Sequence, residues 1–464
     1  MGFLSNPFHT LIFTKVKITG KRNRARRRAR DTRRDLRAIS PLASAYITSH
    51  QRRRVPPLCA CVRLLGWIGQ RGRLSALPDD LLHRILRPLD ARQAVRDLSL
   101  LSRRWRRVWA SSPCVTLQHS AGSERFGNNL LLLRDPMDLR VLCLHSSGSS
   151  FQHRWLRHAL SRGLRVLELT ITCGYSFQLP GCVFTCATLE EISLSSAGII
   201  IISPKSVFLP RLKKLHLESV QITDPSAVEE LSSGCPALED LNLSWCLLRS
   251  FKISSETLKT LSITDCAYAA IHVSAPNTAS LKLTVSRRLH LSSMPSLLSA
   301  WVYISDDAAA DQLSACAHDL VSALCNAQHL ELFRFDLLLQ DAVQKSATEG
   351  LSFNNLKSIY IGEWLVTDFY NTLDFFIQCA PNLIALTLDQ WKLYQENDGN
   401  LSCHVSRGRK PNTDGKLKLQ PALTRNLERL LIRLSKGDDI EEFRKMRSSL
   451  KEKTKPRELE VVWF

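Results

Sequence analysis

Fourteen cysteines and thirteen histidines could in principle build a metal centre or a thiol nucleophile. A structural zinc site needs two donor pairs at close spacing, because four ligands must reach one ion tetrahedrally. Cys59/Cys61 and Cys182/Cys186 are the closest approaches to such pairs, and neither has a matching second pair. Cys143, Cys246 and Cys266 sit in apolar contexts, where cysteine serves as a small hydrophobe. This usage points to reduced thiols in the cytoplasm or nucleus. The histidines are dispersed. His216, between Leu215 and Leu217, reads as a polar residue on the open side of a strand rather than a metal ligand. Asp79 and Asp80 form a carboxylate pair, but in the first turn of a helix they serve its dipole. Metalloprotease, phosphate-loop and nucleophile-elbow motifs are missing from the sequence. The sequence therefore predicts no catalytic residue, no metal site and no cofactor, and binding becomes the function to look for.

Charge separates the chain into two parts. Of the net +20, +15 lies in residues 1–71, where 17 Lys/Arg meet only Asp31 and Asp35. Residues 21–37 hold ten basic side chains in seventeen, a self-repelling block expected to be disordered. A nuclear-import or nucleic-acid patch, a solvated tail and a translated upstream segment are all compatible with it. Aromatic side chains do not interleave with these arginines, so stacking on bases has no support and nucleic acid is not an expected partner. The remaining 393 residues carry only +5. No run of about 18 apolar residues occurs, so no membrane partner is expected either. At 464 residues, 44% hydrophobic and 23% charged, the chain can bury more than one core.

Residues 73–113 read as three short helices. Ser75 can cap the first, Pro78 suits its first turn, and Asp79 and Asp80 favour the positive end of its dipole. Leu81, Leu82, Ile85, Leu86 and Leu89 recur at helical spacing. Pro88 ends that helix, because it lacks an N–H and clashes with the preceding turn. A second helix starts near Ala91 and puts Ala94, Val95, Leu98 and Leu101 on one face. A third carries Trp105, Val108 and Trp109 at i, i+3 and i+4, and Pro113 closes the segment. So short a module barely buries a core of its own. The apolar stripe can then be that core or a face for a partner.

The motif Leu77-Pro78-Asp79-Asp80-Leu81-Leu82, then Ile85-Leu86, then Leu101-Ser102-Arg103-Arg104-Trp105 with Trp109, resembles the plant F-box over about forty residues. Pro88 departs from the family pattern at the end of the first helix. The resemblance implies docking on a Skp-type adaptor, and through it on a cullin, by Leu77, Pro78, Leu81, Leu82, Ile85 and Leu86. Leu98, Leu101, Trp105 and Trp109 are then the core of the F-box.

From 139 onward the string Leu-x-x-Leu-x-Leu recurs. It occurs at Leu139/Leu142/Leu144, Leu164/Leu167/Leu169, Leu189/Ile192/Leu194, Leu212/Leu215/Leu217, Leu238/Leu241/Leu243 and Leu258/Leu261/Ile263, with weaker copies to Leu383/Leu386/Leu388. Successive steps of 25, 25, 23, 26 and 20 residues fall within the period of about 20–29 of leucine-rich repeats. The last two apolar positions alternate in a short strand and point to one side. Each unit leaves an apolar face open, and stacking closes it. The consensus Asn beyond the strand is mostly missing, so the repeats read as degenerate. Pro turns precede several strands, as in Gly234-Cys235-Pro236-Ala237-Leu238. Residues 306–325 read as a longer helix and 391–420 as a surface loop. A helix around 438–451 and a strand at Leu459–Trp463 resemble the FBD region that often ends plant F-box proteins, where it would cap the solenoid.

The expected fold class is α/β: a three-helix F-box followed by an irregular leucine-rich-repeat solenoid, a curved parallel sheet with helices or loops outside. The expected divisions are 1–71, 73–113, 114–426 and 427–464. The resemblance implies a non-catalytic substrate-recognition subunit of a Skp–cullin–F-box ubiquitin ligase, with a protein target of unknown identity on the repeats. The other reading is a repeat scaffold whose basic tail directs it to nucleic acid or the nucleus, with no ligase role. Side chains between the core leucines, namely Arg165, Glu168, Lys214, His216, Asp240, Asn242, Lys259 and Lys282, are expected to form a mixed-charge target face.

Overall fold

The computed structural model describes residues 77–87, 89–98, 103–119, 124–133, 139–147, 153–172, 174, 176–204, 206–222, 233–248, 250–305, 308, 310–335, 352–363, 376, 379–389, 426–434 and 458–463. The basic tail, Ser75, Pro88, Leu101, the 391–420 segment and the expected 438–451 helix lie outside them. The chain divides into two compact units: the first holds the described residues through Gln118 and from Arg125 to Leu133, and the second holds His119, Glu124 and the described residues from Leu139 onward.

The first unit begins with α1 (Asp79–Leu86). Pro78 occupies its N-cap position rather than its first turn. Its carbonyl accepts the Leu81 and Leu82 N–H groups at 3.1 and 3.2 Å, and Asp79 and Asp80 stand at the positive end. The expected second helix is short. It is regular over α2 (Ala91–Gln93) and then widens into a π-helical turn at Ala94–Leu98. Asp90 anchors it: Oδ1 accepts the Arg92 and Gln93 N–H groups at 2.9 and 3.3 Å, and Oδ2 accepts the Gln118 N–H at 2.9 Å. One buried carboxylate thus caps α2 and ties it to β1 (Cys114–His119). Next come α3 (Arg103–Val108), which precedes β1, and α4 (Glu124–Leu133). Leu82, Leu86, Ala94, Leu98, Trp105 and Val108 form the core, with Leu77, Leu89 and Trp109 packed against it. Leu98 and Trp105 thus lie within this core and Trp109 at its margin.

The second unit is a stack of parallel strands: β2 (Val141–Ser146), β3 (Val166–Ile171), β4 (Phe177–Gln178), β5 (Glu191–Ile202), β6 (Lys214–Ile222) and β7 (Asp240–Ser244) open it. Helix α5 (His153–Leu160) stands between β2 and β3. The main ladder continues through β9 (Thr260–Thr264), β11 (Ser280–Val285), β13 (Ser299–Ile304), β14 (His329–Phe333), β15 (Ser358–Gly362) and β16 (Ala385–Asp389). Leu-x-Leu pairs stay in register throughout, as Leu215↔Leu241↔Leu261↔Leu281 shows. Along β2, β3, β7 and β13 burial alternates strictly, so their apolar pairs face the core and the residues between them face outward.

Repeat length decides what covers the inner face. Twenty residues separate the starts of β7, β9 and β11, and such a short circuit has room only for another strand. β8 (Ser250–Ser254), β10 (Ala270–Ser274) and β12 (Arg288–Leu291) accordingly form a second parallel sheet behind the first. Thirty residues separate β13 from β14, and there α6 (Ala310–Leu324) forms the back, packed beside β12. The sequence-predicted helix at 306–325 is this one. The segment expected to cap the solenoid adds two strands to its ladder: β17 (Arg429–Leu434) pairs with β16, and β18 (Glu458–Trp463) pairs with β17.

Two details tighten the turns. Gly234 lies so close to the Val207 carbonyl that a Cβ there would overlap it, which explains a glycine ahead of Cys235-Pro236. Trp245, Asp265, Arg334 and Glu363 directly follow β7, β9, β14 and β15 and all have φ between 53° and 55°. This left-handed residue turns the chain out of the strand at a steric cost ordinary side chains rarely bear.

Candidate docking face and target-binding face

Helix α1 divides the six candidate docking residues between two roles. Leu82 and Leu86 are 0% and 5% exposed and belong to the core. Leu81 and Ile85, one position earlier on the same turns, are 42% and 37% exposed. A rotation of about 100° per residue carries neighbours to different faces. The expectation that all six meet a partner is thus corrected: Leu82 and Leu86 hold the module together. Pro78, Leu81 and Ile85 present an apolar surface, with Leu77 half-buried at its edge.

That surface is held in place from behind. Arg104 on α3 donates through Nη2 to the Leu77 carbonyl at 2.6 Å and to Asp79 Oδ1 at 2.5 Å. Asp79 therefore has an ion partner as well as the helix dipole. His83 Nε2 lies 3.1 Å from the Val108 carbonyl and 3.3 Å from Ser111 Oγ, joining the far end of α1 to α3.

The outward face of the long sheet contains six of the eight candidate target-binding residues. Glu168 on β3, Lys214 and His216 on β6, Asp240 and Asn242 on β7, and Lys282 on β11 alternate with core residues, while Arg165 stands one residue before β3. Lys259 does not join them. It stands one residue before β9, where Nζ donates to Glu239 Oε2 at 2.8 Å, and Lys259 holds the Glu239 carboxyl below its usual range. Side chains of both charges stand on the outward side of β3 to β7. His216 Nε2 meets Asp240 Oδ2 at 3.3 Å and Ser195 donates to Glu218 at 2.8 Å, while Asn242 Oδ1 is buried with no hydrogen-bond partner.

Beyond β9 the face changes character. Lys282, Trp301, Glu331 and Tyr360 follow one another in register across β11, β13, β14 and β15. The Trp301 and Tyr303 rings stack at 6.2 Å, and Phe333 leans on Trp301 at 5.4 Å and on Tyr360 at 5.5 Å. Lys282 Nζ sits 4.7 Å from the Trp301 ring centroid, a cation–π contact. Burial pushes the Lys282 ammonium down, against Asp265 and Glu331, which favour its charge. Burial likewise raises the Asp265 and Glu363 carboxyls, against Lys282 for one and Arg334 with Tyr303 for the other. Tyr360 donates to Asp389 Oδ2 at 2.8 Å. The chemistry of this patch is flat ring surface with carboxylates around it, suited to binding rather than turnover.

Sequence reasoning missed these aromatics because Ala300 replaces the first strand leucine of that repeat. The signal was present in Ser299-Ala300-Trp301-Val302-Tyr303-Ile304 as a period of two. It also missed the last consensus position of two repeats. Cys246 and Cys266 occupy the Asn/Cys place of the repeat consensus. Their Sγ atoms point to the Leu217 and Leu243 carbonyls of the preceding coil at 3.4 and 3.5 Å. The Cys266 thiol is raised by its neighbour Cys246 and by burial, which leaves it an inert packing group.

Comparison with known proteins agrees with this layout. Residues 74–116 match the model of the F-box domain, and residues 136–418 match that of the At1g61320/AtMIF1 LRR domain, which alone covers more than half the chain. The putative F-box protein At3g44060 of Arabidopsis thaliana is 27% identical over 69% of this chain and 80% of its own length. From the same plant, F-box/FBD/LRR-repeat protein At1g78750 is 31% identical over 39% of this chain and 43% of its length. FBD-associated F-box protein At3g52670 is 32% identical over 42% and 49%. The chain thus spans less than half the length of these last two. Helical module, repeat sheet and both domain matches agree that the chain belongs to the plant F-box proteins with leucine-rich repeats.

Proposed function

We propose that this chain is the substrate-recognition subunit of a Skp–cullin–F-box ubiquitin ligase. Its F-box docks on a Skp-type adaptor and its sheet face holds a protein target. The observation that carries the reading is the exposed pair Leu81 and Ile85 on an α1 whose neighbouring Leu82 and Leu86 are buried. Apolar side chains left open on a helix fixed from behind fit a partner interface. Work of this kind is geometric: a target held on one unit is kept at high effective concentration near an enzyme recruited by the other. The buried thiols of Cys235, Cys246, Cys266 and Cys316 suit a reducing compartment, and cytoplasm or nucleus is the proposed location.

The test is co-purification with a Skp-type adaptor. Leu81→Asp with Ile85→Asp places charge in the interface without entering the core, and adaptor binding is expected to fall at least tenfold. Deleting residues 1–71 should leave it intact. Unchanged binding by the double variant would sink the docking claim, and loss of binding on tail deletion would favour the scaffold reading.

A further inference from the structure

We propose that the aromatic part of the sheet face, from β11 to β16, receives a lysine- or arginine-bearing segment of the target protein. The inference rests on the substrate-recognition reading and names the target's chemistry. Trp301, Tyr303 and Tyr360 are half-buried on the outward face, and Phe333 is buried beneath them as a floor. Gly362 makes that floor possible, since a Cβ there would fall 2.6 Å from Phe333 Cδ1. A surface of rings has a negative π-face that attracts cations. The chain itself demonstrates this with Lys282, whose ammonium lies 4.7 Å from the Trp301 centroid.

Charge selects the occupant. Glu331 stands in register between Trp301 and Tyr360. Asp389 accepts from Tyr360 at the far side, and Asp265 and Glu363 close the carboxyl edge of the strands. Among the described side chains of this patch four carboxylates stand with two cations, Lys282 and Arg334, and Arg433 follows Asp389 in register on β17. Burial acts against the charged forms of Asp265 and Glu363, so an incoming cation relieves a charge the face holds at a cost. An acidic segment or a nucleic-acid phosphate would meet repulsion, and a purely apolar one would leave Glu331 and Asp389 poorly solvated. A Lys or Arg side chain meets both demands, with its stem across the rings and its charge on the carboxylates.

The experiment uses the full chain and three fluorescein-labelled twelve-residue peptides of alternating Gly, Ser and charged residues. One carries Lys and Arg, one Gln and one Glu in the charged places, and binding is read by anisotropy. Trp301→Ala changes no charge and is expected to weaken the Lys/Arg peptide at least tenfold. Glu331→Gln is expected to weaken it at least threefold. Lys282→Ala frees the Trp301 face from its resident cation, so it should strengthen binding at least threefold. That opposite sign is not expected of a merely damaged sheet, and it stands even if Trp301→Ala fails to fold. Equal binding by wild type, Glu331→Gln and Lys282→Ala would overturn the proposal. A Glu or Gln peptide whose binding depends on Trp301 would do the same by assigning the face to another occupant. Loss of adaptor binding in Leu81→Asp/Ile85→Asp with normal peptide binding leaves this inference standing. Absence of peptide binding in a chain that still binds adaptor defeats this inference alone.

Discussion

Single side chains govern both faces through charges placed where water is scarce. Asp90 accepts three backbone N–H groups from α2 and β1, so one carboxylate serves two elements. Asp90→Ala removes a cap and orphans the Gln118 N–H, so the F-box unit should lose about 2–3 kcal/mol by denaturant titration. Asp90→Asn, which keeps an acceptor, should cost less. Glu363 behaves in the opposite sense. Burial raises its carboxyl above the ordinary value of 4.5, so the folded state binds the proton more tightly than the unfolded chain. Its contribution is then most favourable below pH 4.5 and is lost as pH rises through the raised value. Glu363→Gln should accordingly raise thermal stability at pH 7, with the gain vanishing near pH 4. A gain that persists at pH 4 would show that ionisation is not the cause.

Elements show how far periodicity can be read. The spacing of Leu81, Leu82, Ile85 and Leu86 is legible as a helix, yet which pair is core depends on where α3 lies. Trp105 and Val108 settle it by packing with Leu82 and Leu86. Leu82→Ala should therefore destabilise the F-box unit by about 2–5 kcal/mol, the cost of a cavity in a small core. Leu81→Ala should leave its melting unchanged within about 0.5 kcal/mol while weakening adaptor binding. In the repeats, the leucines were legible and so was the helix α6. The strands on the back of the short repeats were not, because a strand and a loop of five residues look alike until a neighbour supplies the ladder. Nor was the widening of the second F-box helix at Ala94–Leu98, which local propensity does not distinguish from regular helix.

For the whole molecule, order along the chain becomes order across the sheet. β2 to β18 follow sequence order in the main ladder, apart from the back-sheet strands and the short β4 beside β5. The last strands matter for that reason. Removing residues 427–464 would strip β17 from β16 and leave the Ala385–Asp389 edge open. Such a truncation is expected to lower the melting transition of the repeat unit and to produce soluble aggregates by size-exclusion chromatography. Monodisperse behaviour and unchanged melting would show that the last two strands are dispensable. By itself the sequence determined the architecture: the F-box motif, the repeat period and the concentration of excess positive charge in residues 1–71 are properties of spacing and composition. Only the tertiary structure decided which apolar residues of α1 face outward, why Lys259 leaves the target face, and that Trp301, Phe333 and Tyr360 meet. Those residues are 59 apart along the chain from first to last, and only parallel register brings them onto adjacent strands. Periodicity tells each residue which side of its own element it is on, whereas a binding face is made by what neighbouring elements leave uncovered.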